Sequence, residues 1–225
     1  MPVIYLIRHA QASFGGETYD VLSPLGERQS ERLGTALSQW GVQATRTVTG
    51  ALRRQRDTAA QALALDGSRL ESDDRWNEYD AASVLAVHGP ANAPAGPRNE
   101  LGVPAGVSTR GFQALLDPAL EAWVSAGEES ESGESWPAFR QRGLSALDAL
   151  ATRLGTGDSA LAFTSGGLIA AICTALLEAP AATFVALNRV SVNTGVSKVI
   201  YGGSGPRLVT FNEHSHLERE LVTYR

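Results

Sequence analysis

Lysine is almost missing from this chain: Lys198 is the single one, and the rest of the 19 basic residues are arginines. One lysine leaves little room for Schiff-base chemistry, and no GxxxxGK[ST] phosphate loop is present. Cysteine is equally scarce. Cys173 stands alone, so no internal disulfide and no thiolate zinc site can form. No apolar run approaches the roughly 18 residues of a membrane helix. The opening MPVIYLIRHA has neither a basic leader nor a long apolar stretch, so no signal peptide is expected. Excess positive charge is missing too. The net charge is -5, which argues against nucleic acid or an anionic membrane as partner. What remains is 225 residues, 43% hydrophobic and 19% charged. That suits one globular domain, or one core domain carrying an insertion. A soluble, cytoplasmic protein is expected; nothing in the sequence signals an oligomeric state.

Val3-Ile4-Tyr5-Leu6-Ile7 is a continuous apolar run, as in a strand buried on both faces of a parallel sheet. Ser23-Pro24 reads as an N-cap and first helical position, and Leu33, Leu37 and Trp40 carry that helix to Gly41. A short strand over 46–49 and a helix over 52–65 follow. Strand, helix, strand, helix predicts an α/β fold. Residues 81–133 change character, with a Gly- and Pro-rich stretch and then an acidic patch, and read as an insertion covering one face. Ser135 caps a further helix. A strand over 161–164, a turn at Ser165-Gly166-Gly167 and an apolar helix over 168–177 come next. Strands are expected at 190–201 and 207–211, joined by a Gly-rich hairpin turn.

Four places can carry chemistry. Arg8-His9 follows the first strand, at the edge where α/β sheets bind ligands; alone, such a histidine is as compatible with a structural hydrogen bond. Arg53, Arg54 and Arg56 crowd a helix start, which opposes the macrodipole unless an anion sits there. Arg53 and Arg56 suit a solvated face, and at least one arginine is expected to point inward. Glu78 lies between aromatics, where burial would raise its pKa and suit a general acid. Ser165-Gly166-Gly167 lets backbone amides approach an anion, or simply makes a turn.

Together these segments resemble the histidine phosphatase superfamily, also called phosphoglycerate mutase-like. Ile7-Arg8-His9-Ala10-Gln11 resembles its Arg-His-Gly signature, with Ala10 for the usual glycine. Leu22-Ser23 with Gly26 and Gln29, Leu52-x-Arg54-x-x-Asp57-Thr58-Ala59, Trp76-Asn77-Glu78, Gly133-Glu134-Ser135, Phe163-Thr164-Ser165-Gly166-Gly167, and Asn212 with His216-Leu217 resemble further family segments, in the family's order. The resemblance implies a three-layer α/β sandwich with a mostly parallel central sheet, a single domain over 1–225 and a cap over 81–133. It implies that His9 attacks a phosphate monoester and becomes phosphohistidine, that Arg8 and Arg54 hold the phosphoryl oxygens, and that Glu78 protonates the leaving alkoxide. Gln11, Ser13, Ser165 and Gly166 join the phosphate-binding set by the same resemblance. No metal and no cofactor are implied, and the partner is a small phosphate monoester.

Two departures matter. Ser165 stands where the family usually has a second histidine, so weaker stabilisation of the transferring group is expected. Whether His88, His214 or His216 replaces it is not legible. His216 is read as structural, and His214-x-His216 is not taken as a metal site. Glu78 is followed by Tyr79-Asp80-Ala81-Ala82, unlike the mutase pattern, and 81–133 offers only Arg98 and Arg110 as cations. A phosphatase is therefore favoured, with a catalytically weak or inactive phosphate-binding member, or a mutase, as alternatives.

Overall fold

The computed structural model describes residues 1–13, 20–65, 70–91 and 107–224. Six strands form one sheet in the order β3-β2-β4-β1-β5-β6. β1 (Val3–Arg8) lies in its middle, parallel to β4 (Ser159–Thr164) on one side and antiparallel to β5 (Val196–Gly202) on the other. β2 (Arg46–Thr49) runs parallel to β4 and to the short β3 (Glu71–Ser72), and β6 (Gly205–Glu213) closes the other edge antiparallel to β5.

Alternation along the strands separates two cores. Ile7, Leu161, Phe163 and Val196 pack with Leu33 and Leu37 of α1 (Pro24–Gln39) and Ala59 of α2 (Arg53–Ala62). Ile4, Leu6, Ala160, Ala162 and Val199 turn to the opposite face, toward α5 (Trp136–Ala151) and α6 (Gly166–Leu176). Helix, sheet, helix is the sandwich expected from the sequence, and its sheet is mixed: four parallel strands, then an antiparallel hairpin. Ser23 and Ser135 cap α1 and α5 as their spacing predicts, accepting from the amides of Gly26 and Ala138.

Two elements differ from expectation. The strand expected from Val190 begins only at Val196. Val190 instead ends a helix, α7 (Thr183–Val190), which buries Phe184 and Val185. β-branched residues at 190 and 192 mimic a strand, while Phe184 and Leu187 carry the helical spacing. The stretch 81–133 contains α3 (Ala81–His88) and α4 (Thr109–Ala126), separated by residues 92–106, which lie outside the described residues, as does Arg98. α4 is firmly seated. Its Trp123 stacks in a cluster with Tyr79, Trp136, Phe139 and Phe184, at ring-centroid distances of 4.4–6.5 Å. Among the described residues, no helix is long and apolar enough to cross a membrane.

Candidate active site

The carboxyl ends of β1 and β4 deliver the site. The His9 amide donates to Thr164 O at 2.8 Å, and the Ala10 amide donates to Thr58 Oγ1 on α2 at 2.9 Å. From behind, Asn193 Nδ2 donates to His9 O at 3.1 Å. The loop carrying His9 is thus gripped by a strand, a helix and the segment before β5.

The imidazole has one tautomer that fits its neighbours. Arg54 Nε lies 3.2 Å from His9 Nε2, and His9 Nδ1 lies 2.7 Å from Ala10 O. A guanidinium only donates and a carbonyl only accepts. Nε2 therefore carries the lone pair and Nδ1 the proton. Burial first, then the charges of Arg54 and Arg8, hold the His9 pKa well below its ordinary value, against the raising effect of the Ala10 carbonyl. At neutral pH His9 is an uncharged base.

Arg8 and Arg54 are both buried, while Arg53 and Arg56 lie on the exposed face. Arg8 Nη1 donates to Ser191 O and, at 2.9 Å, to Tyr224 O. Gly166 makes room for it, because a Cβ there would lie 3.2 Å from Arg8 Nε. The anion that the start of α2 calls for is an internal one. Asp20 accepts from the Arg53 amide at 2.6 Å and from Arg54 Nη1 at 2.6 Å.

Glu78 comes from a loop docked on three elements. Trp76 O accepts from Thr164 Oγ1 at 2.6 Å, Asn77 O from Arg142 Nη1 of α5 at 2.9 Å, and Asn77 Oδ1 from the Ala51 amide at 2.7 Å. The Glu78 carboxylate then meets the start of α6, accepting from the Gly167 amide at 2.9 Å. Burial raises its pKa, and it prevails over the opposing Gly167 hydrogen bond and the Arg54 charge. Gly167 leaves no space for a side chain: a Cβ would fall 2.3 Å from Glu78 Oε1 and 2.4 Å from Tyr79 Cε1. Gly167→Ala is expected to push Glu78 off the helix and to cost about 1–3 kcal/mol by overpacking. Denaturant unfolding would measure this, and a variant of wild-type stability would show that the contact relaxes freely.

Arg8, His9, Arg54 and Glu78 line one cavity of about 320 Å³. The other residues carried over by resemblance are not among its lining residues. Ser13 Oγ donates to Leu22 O, and the Gln11 side chain accepts from Ser23 Oγ. Ser165 is fully buried, and its Oγ accepts from Gln55 Nε2 at 2.8 Å. Gly166 acts through the room it leaves for Arg8. Nor does another histidine enter. His88 pairs with Ser130 Oγ, His214 with Asn212 O and His216 with Thr194 Oγ1. Burial lowers the His216 pKa to about 4, consistent with a structural group. Among the described residues, no three His, Cys, Asp or Glu side chains are grouped to hold a metal ion.

Sequence reading missed Asp20, Asn188 and Tyr224. Asn188 and Tyr224 also line the cavity, and neither carries a spacing signal. For Asp20 there was an indirect one, the unexplained cations at the start of α2.

Solved structures share this architecture. A phosphoserine phosphatase variant of Entamoeba histolytica, crystallised with phosphoserine, is 18% identical with a TM-score of 0.68, covering 97% of this chain and 100% of its own. Bacillus stearothermophilus YhfR is 19% identical with a TM-score of 0.69, again over 97% and 100%. A mycobacterial glucosyl-3-phosphoglycerate phosphatase is 21% identical with a TM-score of 0.64, over 93% and 98%. No curated protein matches the chain significantly by sequence. The family described as "Histidine phosphatase superfamily (branch 1)" matches residues 4–87 and 99–214. The sequence order of motifs, the sandwich and the match over most of its length agree: this chain belongs to the histidine phosphatase superfamily.

Proposed function

We propose that the protein is a phosphatase that hydrolyses a small phosphate monoester through a phosphohistidine on His9, with no metal or cofactor. One observation carries this reading: the His9 Nε2 lone pair is presented beside two buried arginines. In the proposed reaction Nε2 attacks phosphorus in line with the ester oxygen. Arg8 and Arg54 compensate charge on the phosphoryl oxygens, and the Arg54 N–H that rests on Nε2 passes to one of them. Glu78, whose pKa burial raises, gives a proton to the leaving alkoxide. Water then attacks the phosphohistidine, with Glu78 now taking a proton. Gln11, Ser13, Ser165 and Gly166 support the phosphoryl site from behind. The slot of the second histidine is neutral, so a slow enzyme is expected rather than an inactive one. Residues 81–133 act as the cap, α3 and α4 bringing Ala81, Ala82, Phe112 and Leu116 to the cavity.

The cavity also bears on the alcohol. Among the described residues that line it, Arg8 and Arg54 are the only cations, whereas Glu78 and Asp80 are acidic. The stretches 14–19 and 92–106 add only Arg98 in sequence, against Glu17 and Glu100. The two relatives named above as phosphatases are named for substrates with a carboxylate beside the phosphoryl group. Here an alcohol without a second anionic group is favoured. Phenyl phosphate is expected to exceed 3-phosphoglycerate in kcat/KM by about tenfold or more. Equal or inverted efficiency would overturn the preference; no turnover of either above the His9→Ala background would overturn the enzyme.

A further inference from the structure

The start of α2 poses a question that the proposed mechanism leaves unanswered. Arg54 meets the lone pair of His9 Nε2, in the tautomer that the Ala10 carbonyl also requires, yet an arginine side chain has several rotatable bonds and costs much entropy to fix. Something must hold its Nε on Nε2. Asp20 is placed to do so. One of its oxygens, Oδ2, accepts from the Arg53 amide at 2.6 Å. The other, Oδ1, accepts from Arg54 Nη1 at 2.6 Å and lies 3.4 Å from the Arg54 amide. One carboxylate therefore ties the head of the Arg54 side chain to the backbone from which that side chain springs. Charge-assisted bonds of this kind are short and directional. Asp20 is also partly exposed, at 28% for its side chain, so it is not fixed by burial alone.

We propose that Asp20 is a positioning residue, a carboxylate clamp that spans the start of α2 and the Arg54 guanidinium and so holds Arg54 Nε beside His9 Nε2, from where its N–H turns to a phosphoryl oxygen when the ester binds. The clamp has a cost in affinity. It places a negative charge on the cation that receives the phosphoryl group, so it opposes anion binding while it favours a productive geometry. This separates Asp20 from an ordinary helix cap. Loss of a cap lowers stability and leaves the chemistry of the folded enzyme intact. Loss of the clamp lowers kcat while leaving phosphate affinity equal or tighter.

The inference rests on the proposed hydrolase reading, and the test separates the two. The protein is compared with Asp20→Asn and Asp20→Ala, with Arg53→Ala as a control for the helix start, since the exposed Arg53 side chain pairs with Asp57 among the described residues. The ¹⁵N resonances of the His9 ring are recorded, together with kcat for phenyl phosphate and the inhibition constant of inorganic phosphate. The expected result is a shift of the Nε2 resonance away from its hydrogen-bonded position and a fall in kcat of about tenfold or more. Phosphate inhibition stays unchanged or tightens, and Arg53→Ala resembles the wild type. An unshifted Nε2 resonance with wild-type kcat would overturn the proposal. So would a parallel loss of kcat and phosphate affinity, which would mean that Arg54 is simply lost. Asp20→Asn keeps the shape and the helix-capping oxygen, so it decides the matter if Asp20→Ala fails to fold. The ring resonances report on the clamp even if no phosphate ester is turned over, in which case only the hydrolase reading falls.

Discussion

Replacing His9 by alanine is expected to reduce turnover of phenyl phosphate by more than about a thousandfold, because the proposed nucleophile is removed. Arg8 and Arg54 remain, so inorganic phosphate should still bind within a few-fold of the wild type. Acid-quenched wild-type enzyme is not expected to retain the adduct, whereas alkali-quenched enzyme is, as befits phosphohistidine; His9→Ala retains none. The pH profile adds a second check. His9 must be uncharged to attack, and its pKa is held well below 6.5 by burial, Arg54 and Arg8. The acid limb of kcat/KM is therefore expected below 6.5. The alkaline limb follows Glu78, whose pKa burial raises above 4.5. The two limbs therefore move in opposite directions from the ordinary values of their groups, the histidine limb downward and the carboxyl limb upward. An acid limb at or above 6.5, or an adduct on another residue, would remove His9 from the role of nucleophile.

Glu78→Gln is expected to show the second-largest effect, and it should depend on the leaving group. An alkoxide leaves poorly without a proton, and a positioned acid contributes about 10²–10⁴-fold. Turnover of an alkyl phosphate should fall by that range. An activated nitrophenyl phosphate, whose phenolate leaves unaided, should lose far less. Equal losses on both esters would mean that Glu78 does not protonate the leaving group. The same variant has a stability signature. Glu78 binds its proton more tightly folded than unfolded, so stability declines as pH rises from about 4.5 through the raised folded value, and above that the full penalty applies. Glutamine removes the charge while keeping an acceptor for the Gly167 amide. Thermal melts above that window should show Glu78→Gln more stable than the wild type, and a less stable variant would contradict burial as the cause of the shift.

Much of this architecture is legible in the residues because it is written locally. The apolar run before Arg8, the Ser-Pro start of α1 and the Ser135 cap each specify their element within a few neighbours. The inward turn of Arg54 could be anticipated from charge at a helix start alone. What local reading could not supply is the partner of each group. That Asp20 satisfies α2, that Ser165 is taken up by Gln55, and that Tyr224 meets Arg8 are contacts closed by tertiary folding across 34, 110 and 216 positions. α7 escaped notice for a different reason. Its end runs into β-branched residues that also satisfy a strand pattern, and only burial of Phe184 against the aromatic cluster decides for helix.

The position of β1 has a consequence for how the protein comes into being. The strand that leads to His9 is made before both of its neighbours in the sheet, β4 and β5, which lie more than 150 residues later. The carbonyls that hold Arg8 belong to Ser191 and Tyr224, and the amide behind His9 belongs to Asn193. During synthesis on the ribosome, β1 therefore waits for these partners, and contacts this distant in sequence form late. A nascent chain lacking residues 191–224 carries His9, Arg54 and Glu78 but not the frame that aims them. The arrangement of His9, Arg8 and Arg54 therefore waits until translation has passed that point.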